Sequence, residues 1–221
     1  MTLREAIARF LEHSEESVKD APQSFALLTA CFSPDTALDE ITPANLRDFL
    51  ARWYIEQASP TSEADHAIEA QLLCDALAEF FRWAESGAEE HLHILAELRQ
   101  SLLHALEISA SLSQMLAERG GAFGFPEFLT SFEAGGHSSY DLDEAGEVGA
   151  IEGYFRITRI EGAMIEAEEV ITEERVWPII FPRDLASRLT NDYIINLELV
   201  RSKEGWQIAA CGFAYPPGTD I

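Results

Sequence analysis

The chain has 221 residues, 47% of them hydrophobic, and a formal net charge of −24 at pH 7. It is therefore long enough for two modest folded domains. Acidic residues outnumber basic ones throughout: sixteen to six in 1–88, ten to two in 89–145 and thirteen to seven in 146–221. Because DNA phosphates are normally contacted by lysine and arginine, this charge disfavours direct nucleic-acid binding. An acidic surface, DNA mimicry and a basic partner all remain compatible with it.

The sequence predicts a cytoplasmic protein without a membrane segment. No window approaches 18 uninterrupted apolar residues. Thr2 and Glu5 have the spacing of a capping box, so the amino terminus is typical of a helix rather than a signal peptide. Cys31, Cys74 and Cys211 are odd in number and far apart, which fits a reducing compartment and argues against a structural zinc.

Four helices are predicted in the first 88 residues from apolar side chains that recur at helical spacing. The clearest start signal is Thr42 followed by Pro43, because the threonine hydroxyl accepts an orphan amide and proline has a helical φ. Gly87 is a typical helix stop. The predicted helices cover residues 3–14, 24–32, 43–57 and 62–86.

The two central helices carry a pattern of leucine, phenylalanine and tryptophan around a Ser-Pro-Thr-Ser turn. The residues concerned are Thr42, Pro43, Leu46, Phe49, Leu50, Ala76, Leu77, Phe80, Phe81, Trp83 and Ala84, preceded by Leu3, Ala6, Ile7, Phe10 and Leu11. Over residues 1–88 this pattern resembles the helical core-binding domain of tyrosine recombinases and phage integrases. The resemblance implies a helical lobe that clamps DNA with basic residues. The catalytic domain of that family has a His-x-x-Arg motif, which this chain lacks, so recombinase activity is not expected.

A long helix is predicted over residues 88–119, with a leucine stripe along one side. A helix of this length can connect two lobes or carry a homodimer seam. His93 and His104 are eleven residues apart, about 16 Å along a helix, and cannot share one ion. His93 with Glu97, helped by His91, forms the one local metal-binding candidate. A solvated helix face is the favoured interpretation, and the metal site stays open. The stripe consists of Leu95, Leu98, Leu102, Leu106, Leu112 and Leu116.

Residues 120–149 are predicted to form a glycine-rich acidic connector, since eight of the thirteen glycines lie in 120–153. Asp141 to Glu152 has the length of a calcium-binding loop, and several of its positions fit. Ala145, however, removes one ligand oxygen. An acidic linker is the default interpretation, and calcium binding is left open.

The last seventy residues change from helical spacing to alternation. The inward positions are predicted to be Phe155, Ile157, Ile165, Ala167, Ile195, Leu197 and Leu199. A strand over 176–181 leads through Pro182 into a short helix over 183–189, and a Lys203-Glu204-Gly205 turn precedes a strand over 206–213. Five strands with one helical crossover favour a small β-barrel of the SH3-like or OB-like kind.

The residue types needed for catalysis do not form a motif. Cys74 is expected to be a buried, inert thiol. Tyr140 lacks the arginine partners of a recombinase nucleophile, and His137-Ser138-Ser139 is expected to be a polar loop. No phosphate-binding glycine loop or His-Glu-x-x-His motif occurs. The sequence therefore predicts no catalytic, cofactor-binding or metal-binding residue. The cations of the C-terminal region are Arg156, Arg159, Arg175, Arg183, Arg188, Arg201 and Lys203, which is where an anionic ligand would bind.

Together these patterns predict an α+β protein with a helical lobe (1–119), a connector (120–149) and a small β-barrel (150–221). We expect a non-catalytic adaptor that binds another, unidentified protein. One rival is a nucleic-acid-associated protein that binds through the arginines of the barrel. The second is a metal-dependent enzyme or calcium sensor.

Overall fold

A computed structural model describes residues 1–13, 22–57, 63–84, 88–118, 122–123 and 149–221. The chain is α+β: N-terminal helices and one long helix precede a C-terminal sheet, as the sequence predicts. It divides into two compact units, Met1–His104 (the helical unit) and Ala105–Thr219 (the sheet unit). The division thus lies within the long helix. The predicted connector 120–149 lies almost wholly outside the described residues, so its limits stay predictions.

The helices begin and end close to their predicted limits. They are α1 (Leu3–His13), α2 (Pro22–Phe32), α3 (Pro43–Asp48), α4 (Tyr54–Gln57), α5 (Glu63–Ala84) and α6 (Glu89–Glu118). A π-helical turn, Phe49–Trp53, joins α3 to α4. Regular helical spacing does not predict this turn, because the extra residue rotates the side chains that follow it by roughly 100°, which brings Ile55 into the core beside Tyr54.

Two helix starts are fixed by the predicted side-chain caps. The amide of Glu5 donates to Thr2 Oγ1 at 3.3 Å, and the amide of Thr2 donates to Glu5 Oε2 at 3.1 Å. At α3 the amide of Asn45 donates to Thr42 Oγ1 at 3.2 Å. These bonds satisfy amides that have no partner within the helix, which confirms both capping predictions.

The helical unit is held by an aromatic cluster around Phe80 of α5. Its ring lies 5.5 Å from that of Phe10 on α1 and 5.6 Å from that of Phe25 on α2, in edge-to-face arrangements. Phe81 adds a third edge contact at 5.4 Å, and Trp83 stacks against Phe80 at 6.4 Å. Such geometry places the positive ring edge on the negative ring face, so the cluster fixes the relative positions of three helices.

The leucine stripe of α6 is buried within the chain. All six predicted leucines are at most 6% exposed. Their side chains therefore pack inside the protein and are not exposed for contact with a second copy. A homodimer through the long helix stays a prediction, and it would have to form through the exposed face of α6.

The strands are β1 (Ala122–Phe123), β2 (Ala150–Glu161), β3 (Met164–Glu169), β4 (Arg175–Ile180), β5 (Ile194–Arg201) and β6 (Trp206–Tyr215). Strands β2 to β6 form a five-stranded mixed sheet in which β6 pairs with β4 in parallel and with β5 antiparallel. The two-residue β1 adds in parallel to β6. Each of the five main strands consequently pairs with two others of the five, and β6 also pairs with β1.

The predicted inward positions of the sheet are confirmed, since all seven are at most 1% exposed. Two details differ from the prediction. The crossover helix α7 is only Arg183–Ala186, although Leu189 beyond it is also buried. Strand β5 is buried on both sides, because Ile194, Asn196 and Glu198 at the alternate positions are also covered. The amide of Ala214 donates to Ser109 Oγ at 2.8 Å, which ties β6 to the second half of α6.

Candidate functional site

Three arginines of the sheet lie on the outward side of β2 and β4, interleaved with glutamates of β2 and β3. Strand alternation sends Ile157, Ile165 and Val176 into the core and leaves their neighbours on the opposite side. An irregularity between Ile157 and Arg159 then brings Arg159 to that opposite side as well, across from Glu166. We call this surface the Arg–Glu face. It consists of Arg156, Arg159, Glu161, Glu166, Glu168, Arg175 and Trp177.

Each arginine of the Arg–Glu face has a carboxylate within ion-pair distance. Arg175 lies 3.8 Å from Glu166 and 3.6 Å from Glu168, measured between nitrogen and oxygen. Arg159 pairs with Glu161 and lies 4.0 Å from Glu166, while Arg156 lies 4.0 Å from Glu168. Three positive charges thus meet three negative ones, so this face is close to neutral in a chain whose net charge is −24. Exposed pairs of this kind add at most about 1 kcal/mol each to stability.

Trp177 is the large aromatic side chain of the Arg–Glu face and is 36% exposed. The guanidinium of Arg159 lies over its ring, 5.7 Å from the centroid. A cation over an aromatic face is attracted to the ring's negative quadrupole, so Arg159 holds the indole in place without covering it. Sequence reasoning missed Trp177, because Val176 and Ile179 are both buried although they lie three positions apart, so strict alternation does not assign Trp177 to the outward side.

An open groove of about 850 Å³ continues from this face at the β2–β3 turn. Arg183 of α7 lines it together with Met164, whose side chain is also exposed. Two further predicted anion-binding cations are engaged elsewhere: Arg188 donates to Ser111 Oγ, and Arg201 stacks over Trp206 at 5.0 Å. The structure therefore does not gather the seven predicted cations into one anion-binding surface.

In the helical unit, arginines are likewise paired with acidic residues. Arg47 donates to Glu97 at 2.7 Å, which holds the pKa of the Glu97 carboxyl below its usual range. The other pairs are Arg99 with Asp75 at 2.9 Å, Arg52 with Asp48 at 3.3 Å and Arg4 with Asp35 at 3.9 Å. Every such pair reduces the positive potential that a phosphate backbone would need.

The local metal candidate on α6 is not assembled. Glu97 is bound to Arg47, and His91 Nε2 donates to the carbonyl oxygen of Ile41 at 2.7 Å while its ring stacks on Phe81. Within the described ranges, no group of three or more histidine, cysteine or acidic side chains is placed to hold a metal ion. His93 is exposed and lies one turn of α6 before Glu97.

The three thiols are free and poorly suited to nucleophilic chemistry. Burial raises the pKa of Cys74 and of Cys31 to about 11, and that of Cys211 to about 12. At neutral pH these groups are protonated, and the thiolate is the reactive form. The expectation of a buried Cys74 is confirmed. Tyr140, His137 to Ser139 and the calcium-loop residues before Gly149 lie outside the described residues.

No protein-family model, curated protein or solved structure matches the chain. Among the helices that the structure describes, none is long and apolar enough to cross a lipid bilayer. The arrangement of the residues themselves therefore carries the functional argument.

Proposed function

We propose that this protein is a non-catalytic adaptor that binds another protein through the Arg–Glu face. Tryptophan, arginine and methionine are the side chains most enriched at protein interfaces, and binding hot spots concentrate in tryptophan, tyrosine and arginine. Here Trp177 is exposed and lies beneath the guanidinium of Arg159. This preorganised, partly exposed indole is the observation that carries the proposal.

The charge balance of the face supports a protein partner. A strongly acidic surface repels acidic proteins, whereas a face with matched charges lowers that repulsion at close approach. The pairs Arg175–Glu168 and Arg156–Glu168 can exchange partners with charged groups of a bound protein, which would favour specificity over raw affinity.

We also propose that the five-stranded sheet is a small β-barrel of the SH3-like or OB-like kind. The additional pairing of β6 with β5 supports this, because it returns the strand order to its starting point. For the helical unit we propose a core-binding-type fold that has lost its basic surface. The ion pairs of Arg47, Arg52 and Arg99 with acidic side chains support that loss.

Replacing Trp177 with alanine is expected to weaken the interaction strongly. The full-length protein, carrying an affinity tag, would be used to capture partners from its native lysate, and the retained proteins would be identified by mass spectrometry. Truncation of a hot-spot tryptophan costs about 2 kcal/mol or more, so affinity for the captured partner should fall about thirtyfold. Titration of the purified partner by calorimetry measures that loss.

Ile171→Ala is the matched control, because Ile171 is apolar and 77% exposed but lies in the β3–β4 turn, outside the Arg–Glu face. It should leave the affinity unchanged. If Trp177→Ala and Ile171→Ala bind the captured partner with equal affinity, the proposal is wrong. Fluorescence anisotropy with duplex DNA at low salt tests the nucleic-acid rival: binding that weakens steeply with added salt would replace the adaptor assignment.

A further inference from the structure

Strand β5 carries an acidic side chain where a sheet normally places an apolar or exposed one. Glu198 is only 9% exposed, although it alternates with the inward residues Leu197 and Leu199. Its direct cross-strand partner on β2 is Glu152, and its partner on β6 is Ala210. Directly opposed residues in an antiparallel pair have Cβ atoms about 4.5–5.5 Å apart, so the two carboxyl groups are neighbours.

No described cation is placed to neutralise this pair. On β2 the nearest basic residue is Arg156, which pairs with Glu168. On β5 itself Arg201 lies over Trp206. Strand β6 contains no charged residue, and neither does β1. Asn196 lies two residues away on the same side of β5, and its side-chain Nδ2 donates to the carbonyl oxygen of Gly153 at 3.4 Å.

Glu198 Oε2 is buried without a hydrogen-bond partner. A buried carboxylate without a partner is costly, and like charges directly opposite each other add to that cost. Burial raises the pKa of Glu198, and the neighbouring Glu152 raises it further. Glu152 itself is exposed, and partial desolvation raises its pKa as well. The least costly state of the pair is therefore the one in which the buried group, Glu198, keeps a proton.

We propose that Glu198 keeps its proton in the folded protein, directly opposite the exposed Glu152, and forms a pH-sensitive link between β2 and β5. In its protonated form Glu198 carries no charge in its buried position. When the proton is lost, two negative charges oppose each other across the strands. Alkalinity therefore loosens this pairing, and acidification tightens it.

The sign of the effect follows from the raised pKa values. A carboxyl group whose folded-state pKa lies above its unfolded value stabilises the fold fully below the unfolded pKa, about 4.3 for glutamate. That contribution is lost as the pH rises through the folded-state pKa. As the pH rises from the unfolded-state to the folded-state pKa, the native protein should consequently lose more stability than its other titratable groups account for.

Glu198→Gln tests the link, because glutamine keeps the shape and cannot ionise. Urea unfolding of the full chain would be measured at pH 5 and pH 8 for the native protein, Glu198→Gln and Glu204→Gln. The last is a control with the same charge change at an exposed position of the β5–β6 turn. We expect the unfolding equilibrium constant of the native protein to rise at least tenfold more between the two pH values than that of Glu198→Gln. The control should follow the native protein.

Carbon-13 NMR titration of assigned glutamate carboxyl groups provides a readout that does not depend on the stability of a variant. In the native protein, the midpoint of Glu198 should lie above the ordinary glutamate value of about 4.3. In Glu152→Gln the midpoint of Glu198 should move towards that value, because the repulsion is gone. If the Glu198 midpoint is ordinary in the native protein, or does not move in Glu152→Gln, the proposed link does not exist.

Discussion

Phe80→Ala is expected to lower the free energy of unfolding by about 3–5 kcal/mol, the range measured for truncating a fully buried phenylalanine. The side chain is 0% exposed and contacts aromatic rings on α1 and α2 as well as on its own helix. Truncation removes its transfer free energy, leaves a cavity and deletes edge-to-face contacts with Phe10 and Phe25. The surrounding rings are rigid and cannot fill the space.

The midpoint of the urea-induced loss of helical circular dichroism measures this effect. Leu72→Ala is the control on the same helix: Leu72 is 54% exposed, so its loss should change the free energy by no more than about 0.5 kcal/mol. Phe80→Leu keeps an apolar side chain and should lie between the two. If Phe80→Ala unfolds at the same urea concentration as Leu72→Ala, the aromatic cluster does not hold the helical unit together.

Gly205→Ala is the second substitution with a large expected effect, a loss of about 2–5 kcal/mol from backbone strain combined with steric overlap. Gly205 in the β5–β6 turn has φ +139°, a conformation that residues with a Cβ rarely adopt. An added Cβ would also lie 2.6 Å from the carbonyl oxygen of Pro178. Because that oxygen belongs to the backbone, relief requires β4 or the turn to move.

The control is Gly162→Ala in the β2–β3 turn, where φ is +64° and no atom lies within 4 Å of the added Cβ. Only the left-handed conformation is then penalised, at about 1 kcal/mol. Thermal unfolding of the three proteins, followed by tryptophan fluorescence, measures the difference. Equal losses in both variants would contradict the larger cost expected from the φ of Gly205 and its contact with Pro178.

The helices and strands were predictable because their signals are local. Thr42 and Pro43 mark a helix start by chemistry within one turn, and the alternation of Phe155 and Ile157 requires only a buried face. The pairing of β6 with β4 was not predictable, since it joins segments separated by α7 and β5 and depends on the whole sheet.

The site was less predictable than the fold. The sequence located arginines in the C-terminal region, but their partners are set by register: Arg156 meets Glu168 because these two residues are cross-strand neighbours. The burial of Glu198 was not predictable, because alternation alone assigns this residue to the solvent side. Its burial arises from what covers the outer side of β5, which sequence spacing does not encode.

The protonated state of all three native thiols has a practical consequence for spectroscopy. At neutral pH they react slowly with maleimides, so a single cysteine introduced at the exposed position of Ile171 would carry a fluorophore with little background labelling. A dye at that position would report on a nearby bound partner without replacing any native cysteine.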